Sequence, residues 1–372
     1  MKILVVGGGI GGLTATLAFR RQGFDVDVVE RDPNWAVYGV GIIQPANALR
    51  ALDALGLAEA CVAAGHAIRG DRAFLTDGTT EVGYSEWPSL LPHLPPGNGL
   101  PRPRLHEILT TRTLASGADV RTGVTAELIR PSDDVVEVAF SDGESRSYDL
   151  VVGADGLYSQ VREQFFGADL KPKLNGQVCW RTNLPRLPDL DEIWVFLGGN
   201  GGGVGLVPLA DDLMYLLLNT PPEGLELEIE RLGAAAALRE RLEPFGGPIP
   251  ALRALIVDDD AVVMRPLAYT LVPAPWNRGR VVLLGDAAHG TTPHCGQGAA
   301  QAIEDSIVLA EELARGASVE LALEAYSDRR FERCREVVEG SEQIGRWEQD
   351  PTLPIDPLAT RNRVMAGVYA PI

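Results

Sequence analysis

The chain has 372 residues, 45% of them hydrophobic, with a mean hydropathy of +0.02. That is a globular composition, and the length exceeds what one core usually organises, so two domains are expected. Thirty-three basic against 51 acidic residues leave a net charge of −18, which argues against nucleic acid or an anionic membrane as partner. Lysine occurs only at Lys2, Lys171 and Lys173, so arginine, the better bidentate partner for phosphate and carboxylate, carries most of the positive charge. Cys61, Cys179, Cys295 and Cys334 stand far apart without a C-x-x-C pair, which fits neither a zinc site nor a disulfide framework. No stretch reaches the roughly 18–20 apolar residues that span a bilayer, and the apolar start is a glycine-broken strand rather than a leader. A cytoplasmic protein is expected.

In chain order, Ile3 to Val6 is an apolar run of the kind that forms a buried parallel strand. Gly7, Gly9 and Gly12 follow with the spacing G-x-G-x-x-G, and Leu13, Leu17 and Ala18 then recur at helical spacing from Ile10 to Arg21. Gly23 ends that helix, and Asp25 to Val29 alternates as a second strand closing on Glu30. Such a turn brings a pyrophosphate against backbone N–H groups at a helix N-terminus, and an acid at the second strand end accepts from ribose hydroxyls.

Next comes a glycine-rich loop at Gly39 and Gly41, then an amphipathic helix with Leu49, Leu52 and Leu55. Between about Leu170 and Arg265, stretches such as "QVCWRTNL", "EIWVFLGG", "GVGLVPLA" and "LMYLLLNT" predict an antiparallel sheet, with "GGNGGG" at Gly198 to Gly203 as a hairpin loop. Leu227 to Leu242 and the segment "ASVELALEAYSDRRFERCREVVEGSEQI" predict helices; the proline-interrupted end reads as a tail or an interface. Two further signals stand apart: "YDLVVGADGLYSQVR", and "LLGDAAHGTTPHCGQGAAQAIED", where an apolar run stops at Gly285-Asp286 and small residues lead into a helix. Three distant patches on one ligand imply a long ligand, and FAD fits better than NAD.

With these motifs in this order the sequence resembles the single-component aromatic hydroxylases, flavoprotein monooxygenases of the para-hydroxybenzoate and salicylate hydroxylase type. The motifs are Gly7-x-Gly9-x-x-Gly12 with Glu30-Arg31, then Gly153-Ala154-Asp155-Gly156 with Ser159 and Arg162, then Gly285-Asp286. The resemblance implies an α/β fold: a Rossmann-like FAD-binding domain of the glutathione-reductase type, a mostly antiparallel substrate sheet, and C-terminal helices. Residues 1–72, 98–170 and 266–345 would form the FAD domain, 73–97 and 171–265 the substrate domain, and 346–372 a tail. It further implies that Gly9, Gly11 and Gly12 meet the pyrophosphate, Glu30 the ribose with Arg31 close by, Arg102 the phosphates and Val124 the adenine. Gly41 and Ile42 would pass near the flavin ring, Asp155 would serve FAD and the passing nicotinamide, and Asp286 would take the ribityl chain. Pro293, Gly296, Gln297 and Gly298 would face the isoalloxazine. Glu304 and Asp305, early in the next helix, read first as ordinary N-terminal charge.

The implied chemistry is hydroxylation of a small electron-rich aromatic or heteroaromatic ring by FAD, O₂ and transient NADH or NADPH, through a flavin C4a-hydroperoxide. The substrate pocket is expected from Trp194, Phe196, Val207, Tyr215, Leu217 and Pro293. The predicted catalytic set is Pro293, His294 and Tyr215; a phenol reacts better as phenolate, so His294 and Tyr215 are the candidate bases, with a structural role for His294 equally open. No metal site is expected, and a monomer or homodimer is. The alternatives are a non-catalytic FAD-binding sensor of small aromatics and a non-oxygenase flavin reductase.

Overall fold

The computed structural model describes residues 1–37, 39–198, 202–316 and 318–372. The tip of the predicted glycine-rich hairpin, residues 199–201, lies outside them. The strands flanking it, Ile193–Phe196 and Val204–Pro208, pair antiparallel.

The first strand, Lys2–Val6, is central in a six-stranded sheet, between Asp25–Glu30 and Leu150–Gly153, both parallel to it. Asp119–Thr122 lies beyond one neighbour, Val281–Leu283 beyond the other, and the short Asn277–Arg278 closes the edge antiparallel. Ile3, Leu4 and Val5 are fully buried, as expected of a parallel strand covered on both faces. Val6 stands beside Gly153, and Gly153 beside Leu283. The three motifs therefore leave one sheet from the same edge, the carboxyl ends of its strands, where doubly wound sheets bind nucleotides.

Close approach explains the glycines there. Gly7 has φ +112°, and a Cβ on Gly12 would lie 1.9 Å from the Gly7 carbonyl oxygen. The helix Ile10–Arg21 sits directly on the turn that precedes it. Helix Gly298–Ala314 packs beside it through small residues: a Cβ on Gly11 would meet Leu284 and Ala302, and the Thr14 and Ser306 hydroxyls share a hydrogen bond of 2.8 Å.

The second sheet has seven strands, in the spatial order Val263–Tyr269, Lys173–Pro185, Leu213–Thr220, Val204–Pro208, Ile193–Phe196, Gly70–Phe74 and Glu81–Glu86. All neighbours are antiparallel except Ile193–Phe196 with Gly70–Phe74. Its strand Gly70–Phe74 takes in residues on both sides of the boundary expected at 72. Trp180, Phe196, Met214 and Leu216 point from one face into a core closed by helices Leu225–Leu232, Ala234–Arg241 and Ile249–Ala254. The single helix predicted over Leu227 to Leu242 is thus two, broken at Gly233, whose φ of +82° no helix tolerates. The other face lies over strand Gly41–Pro45: a Cβ on Gly41 would meet Leu209 and Tyr215 at 2.4 and 2.7 Å.

At the C-terminal end, helix Val319–Gln349 runs beyond the predicted segment to the turn at Pro351. The expected tail carries a further helix, Pro357–Tyr369, capped by Asp356, whose carboxylate accepts from the Ala359 N–H at 2.9 Å. It buries Val364, Met365 and Val368 against the long helix and against Cys295. An Asp-Pro pair followed by apolar residues at i and i+4 is a helix start, and that signal stands in the sequence.

Gly12→Ala places a side-chain carbon inside the radius of the Gly7 oxygen. It is expected to destabilise the protein by about 3 kcal/mol or more, read as a lowered denaturant midpoint. An unchanged midpoint would mean that the helix stands farther from the turn.

Candidate active site

At the shared strand edge, Gly9 precedes the first helix with extended backbone, and an added Cβ there would meet nothing within 4 Å. The turn is therefore open on the side where a pyrophosphate would approach. Glu30 accepts from the Gly8 N–H at 2.8 Å with one oxygen and from the Asp32 N–H at 2.9 Å with the other, which leaves a lone pair on each for a ribose hydroxyl. Arg31 is exposed at the rim, and the Val124 N–H donates to the Glu30 carbonyl at 3.0 Å. Trp35 caps this end, donating from Nε1 to the Gly8 carbonyl at 2.9 Å with a strained φ of 49°.

Arg102 opens helix Arg102–Ala115, and its Nε is buried without a hydrogen-bond partner among the described residues. Burial lowers its pKa, Asp286 opposes that, and Arg181 from the seven-stranded sheet reinforces it. Asp286 keeps an accessible carboxylate although protein crowds it. That crowding pushes the carboxyl up, while His289 and Arg102 pull it down. An open glycine turn, an unpaired guanidinium and an accessible acid along one crevice fit the phosphates and hydroxyls of an extended dinucleotide.

Two expected ligand contacts have another role. Both Asp155 oxygens are engaged within the protein, accepting from the Ser159 hydroxyl and from the Gln160 and Val161 N–H groups at 2.7 and 3.1 Å. Its carboxylate caps helix Gln160–Phe166. Gly11 answers the packing of two helices. Arg162, by contrast, ties two motifs together: its guanidinium donates to the carbonyls of Leu157, Leu170 and Ala287.

Behind the Gly285-Asp286 junction lies a buried charge network. Arg330 donates to Asp305 at 2.7 Å and to Glu304 at 2.8 Å, and none of the three side chains is exposed. The other Asp305 oxygen accepts from the Gly285 N–H at 3.0 Å and meets His289 Nε2 at 2.6 Å. Glu304 also accepts from Asn47, whose amide exchanges hydrogen bonds with Gln297. Glu304 and Asp305 are therefore not surface dipole partners; they fix the loop Pro293–Gly298 and the junction before it. His289, Asp305 and Cys334 place ligand atoms within 4.8 Å of one another, a grouping that sequence spacing hid. Arg330 already occupies the charge of that site, donating to Cys334 Sγ at 3.5 Å, so the grouping is an ion-pair network.

Between this loop and the second sheet lies a mostly apolar cavity of ≈ 450 Å³. Pro293, His294, Cys295 and Gly296 form one side of it, and Val207 and Leu217 belong to the sheet above. Trp194 and Phe196, expected here, face the other way, where both pack on Phe74 with centroids 5.5 and 5.4 Å away. Strand side chains alternate, so Ile193, Val195 and Leu197 take the cavity side. Tyr215 shares the Leu217 face but lies outside the cavity wall, against Gly41. Burial raises its pKa to about 12, which works against a role as base.

The polar end of the cavity holds His294, Asn219 and Glu348. His294 Nδ1 meets the Thr292 hydroxyl at 2.9 Å, and its Nε2 lies 3.2 Å from both Gln177 Oε1 and Glu348 Oε2. At the other end Arg361 donates to both Asp71 oxygens at 2.7 and 2.8 Å, and Trp87 Nε1 donates to Asp71 at 2.6 Å. Sequence reasoning missed Glu348 and Arg361 because both lie in or beside the supposed tail, with no motif around them. It missed Arg330 because a single arginine in a charged helix carries no signal of burial.

Arg330→Met would strand two buried carboxylates, at an expected cost of about 3–5 kcal/mol in denaturant unfolding, with reduced flavin retention. Burial raises the Asp305 pKa, but His289 and Arg330 outweigh it and bring it to about 2, from an ordinary 3.8. Its stabilisation is therefore complete above that ordinary value and lost as pH falls toward 2. Unfolding midpoints measured down the acid range should fall across that window, and less so in Arg330→Met.

The family of FAD binding domains matches residues 1–341. The chain is 35% identical over 369 residues to the aurachin C monooxygenase/isomerase of Stigmatella aurantiaca, across 94% of this chain and 90% of that protein. It is 32% identical over 358 residues to the 2-heptyl-3-hydroxy-4(1H)-quinolone synthase of Pseudomonas aeruginosa, again across 94% and 90%. The structure of Klebsiella pneumoniae HpxO complexed with FAD and uric acid superposes with a TM-score of 0.86 at 26% identity, across 99% of this chain and 96% of that one. With the crevice suited to a dinucleotide and a cavity beside it, the chain belongs to the FAD-binding family and, within it, to the FAD-dependent monooxygenases.

Proposed function

We propose that the chain uses NADH or NADPH and O₂ to hydroxylate a planar, largely apolar aromatic or heteroaromatic substrate, held in the cavity between the Pro293–Gly298 loop and the seven-stranded sheet. The observation that carries this reading is the position of that cavity. One of its sides is the loop anchored to the Asp286 junction, and the sheet covers it. When bound, FAD supplies the redox chemistry: it accepts a hydride from the nicotinamide and activates O₂.

The protein's own residues position, shield and neutralise. Gly9 and Arg102 would hold the pyrophosphate, Glu30 the ribose and Asp286 the ribityl hydroxyls. The N-terminus of helix Gly298–Ala314 would present backbone N–H groups where the ring's pyrimidine end would lie. Ile43, Val195, Val207 and Leu217 exclude water from the substrate side. Relatives named for a quinolone, for aurachin C and for urate support a heteroaromatic guest.

Purified yellow protein should oxidise NAD(P)H faster in the presence of a suitable phenol, hydroxypyridine or quinolone, with labelled oxygen from O₂ appearing in the product. Flat rates across such a panel would return the chain to a flavin-binding sensor. Asp286→Ala should lose most of its flavin on gel filtration; retention at the parent level contradicts the place given to Asp286.

A further inference from the structure

We infer that Glu348 is the catalytic acceptor of this pocket, binding the hydrogen-bond donor of a neutral substrate and excluding carboxylate-bearing ones. The inference rests on the monooxygenase reading above and names the substrate class for that site.

Three donors converge on one oxygen of Glu348. Oε2 receives Gln177 Nε2 at 2.9 Å and Asn219 Nδ2 and His294 Nε2 at 3.2 Å each. Oε1 receives none among the described residues, and Glu348 lines the cavity with 19% of its side chain exposed. His294 is 1% exposed and has partners at both ring nitrogens, so the carboxylate, not the imidazole, is what a guest reaches. His294 is a positioning residue: with two oxygens at its Nε2, that nitrogen carries the proton and donates.

Asn219 supplies a second, independent observation. Donation to Glu348 fixes the orientation of its amide, which leaves Oδ1 buried without a partner in a residue 5% exposed that also lines the cavity. A buried acceptor left unpaired costs about 1–3 kcal/mol, so Asn219 Oδ1 demands a donor, and Glu348 Oε1 is a second acceptor, open to the cavity. A ring O–H or N–H answers that demand; a carboxylate does not.

The charges of the wall agree. Among the described residues, the arginine lining the cavity is Arg361, held bidentate by Asp71. An anionic guest would find that arginine already paired and the Glu348 carboxylate opposing it. Burial works to raise the Glu348 pKa, but His294, Gln177 and Asn219 outweigh it and hold the carboxyl below its ordinary range. Glu348 is therefore charged at neutral pH and a weak base. A weak base suffices, because a ring hydroxyl becomes strongly acidic as electron density leaves the ring toward the incoming oxygen. In that step the substrate O–H bond breaks and an O–H bond forms at Oε1; the electron pair stays on the substrate oxygen.

The test uses the full FAD-loaded chain and three bicyclic probes: 2-naphthol, 2-methoxynaphthalene and 2-naphthoate. Binding is read from the perturbed flavin spectrum. The parent should bind 2-naphthol about tenfold or more tighter than the methyl ether, as expected for a hydrogen bond to a charged group, and 2-naphthoate weakest. In Glu348→Gln, with flavin content and unfolding midpoint measured alongside, the naphthol preference should collapse and naphthoate binding should improve. The acid limb of kcat/KM, which lies below the ordinary glutamate range in the parent, should disappear. Equal affinity for naphthol and its ether in the parent, or an unchanged preference in a folded, flavin-replete Glu348→Gln, overturns the inference even where the enzyme oxidises NAD(P)H normally. Predicted binding without NAD(P)H oxidation by any probe upholds the recognition and overturns the monooxygenase reading instead.

Discussion

The buried pairing of Arg330 with Glu304 and Asp305 is the constraint on which the site depends. It links the long C-terminal helix to the helix after the flavin-side loop, and through Asp305 it reaches the Gly285 N–H and His289. Burial disfavours the His289 charge, but Cys334 and Asp305 outweigh it and raise its pKa well above 6.5, so two cations face two carboxylates. The imidazolium lies against Trp276, with ring centroids 5.0 Å apart. Buried ion pairs of this kind add little net stability compared with well-packed apolar residues. Their effect here is geometric: each carboxylate oxygen of Glu304 and Asp305 has at least one protein donor, which holds the loop in place.

That fixed loop explains why small residues crowd the junction. Gly285, Ala287, Ala288 and Gly290 let three backbones meet around one strand end, while Arg162 closes the arrangement by donating to the Ala287 carbonyl. The seven-stranded sheet then lies over the result, near enough at Gly41 that a single methyl would meet Leu209. The segment Pro293–Gly296 is at once a wall of the cavity and the continuation of the Gly285-Asp286 junction, so a shift in the junction is felt in the cavity.

Most of the nucleotide fold was legible in the sequence because glycine spacing and apolar runs are local signals. Gly7, Gly9 and Gly12 announce a turn whose geometry admits little else, and Val281 to Leu284 announces the strand before the acid. The substrate side was less legible. Trp194 and Phe196 lie on the core face because strand parity is set by pairing with Val204 and Leu206, and no composition rule reveals which parity faces a guest. Asp155, expected as a ligand contact, also caps a helix, a role its motif did not announce because capping and binding draw on the same residue type. Glu348 and Arg361 act only through tertiary placement, one at the end of a long helix and the other on a helix that had read as a tail.

The family match stops at residue 341, yet Trp347, Glu348, Leu358, Arg361 and Met365 all contribute to the cavity wall. The end of the long helix and the helix after it, both beyond the matched stretch, therefore close part of the cavity, and the Asp71–Arg361 clasp fastens the last helix to the seven-stranded sheet.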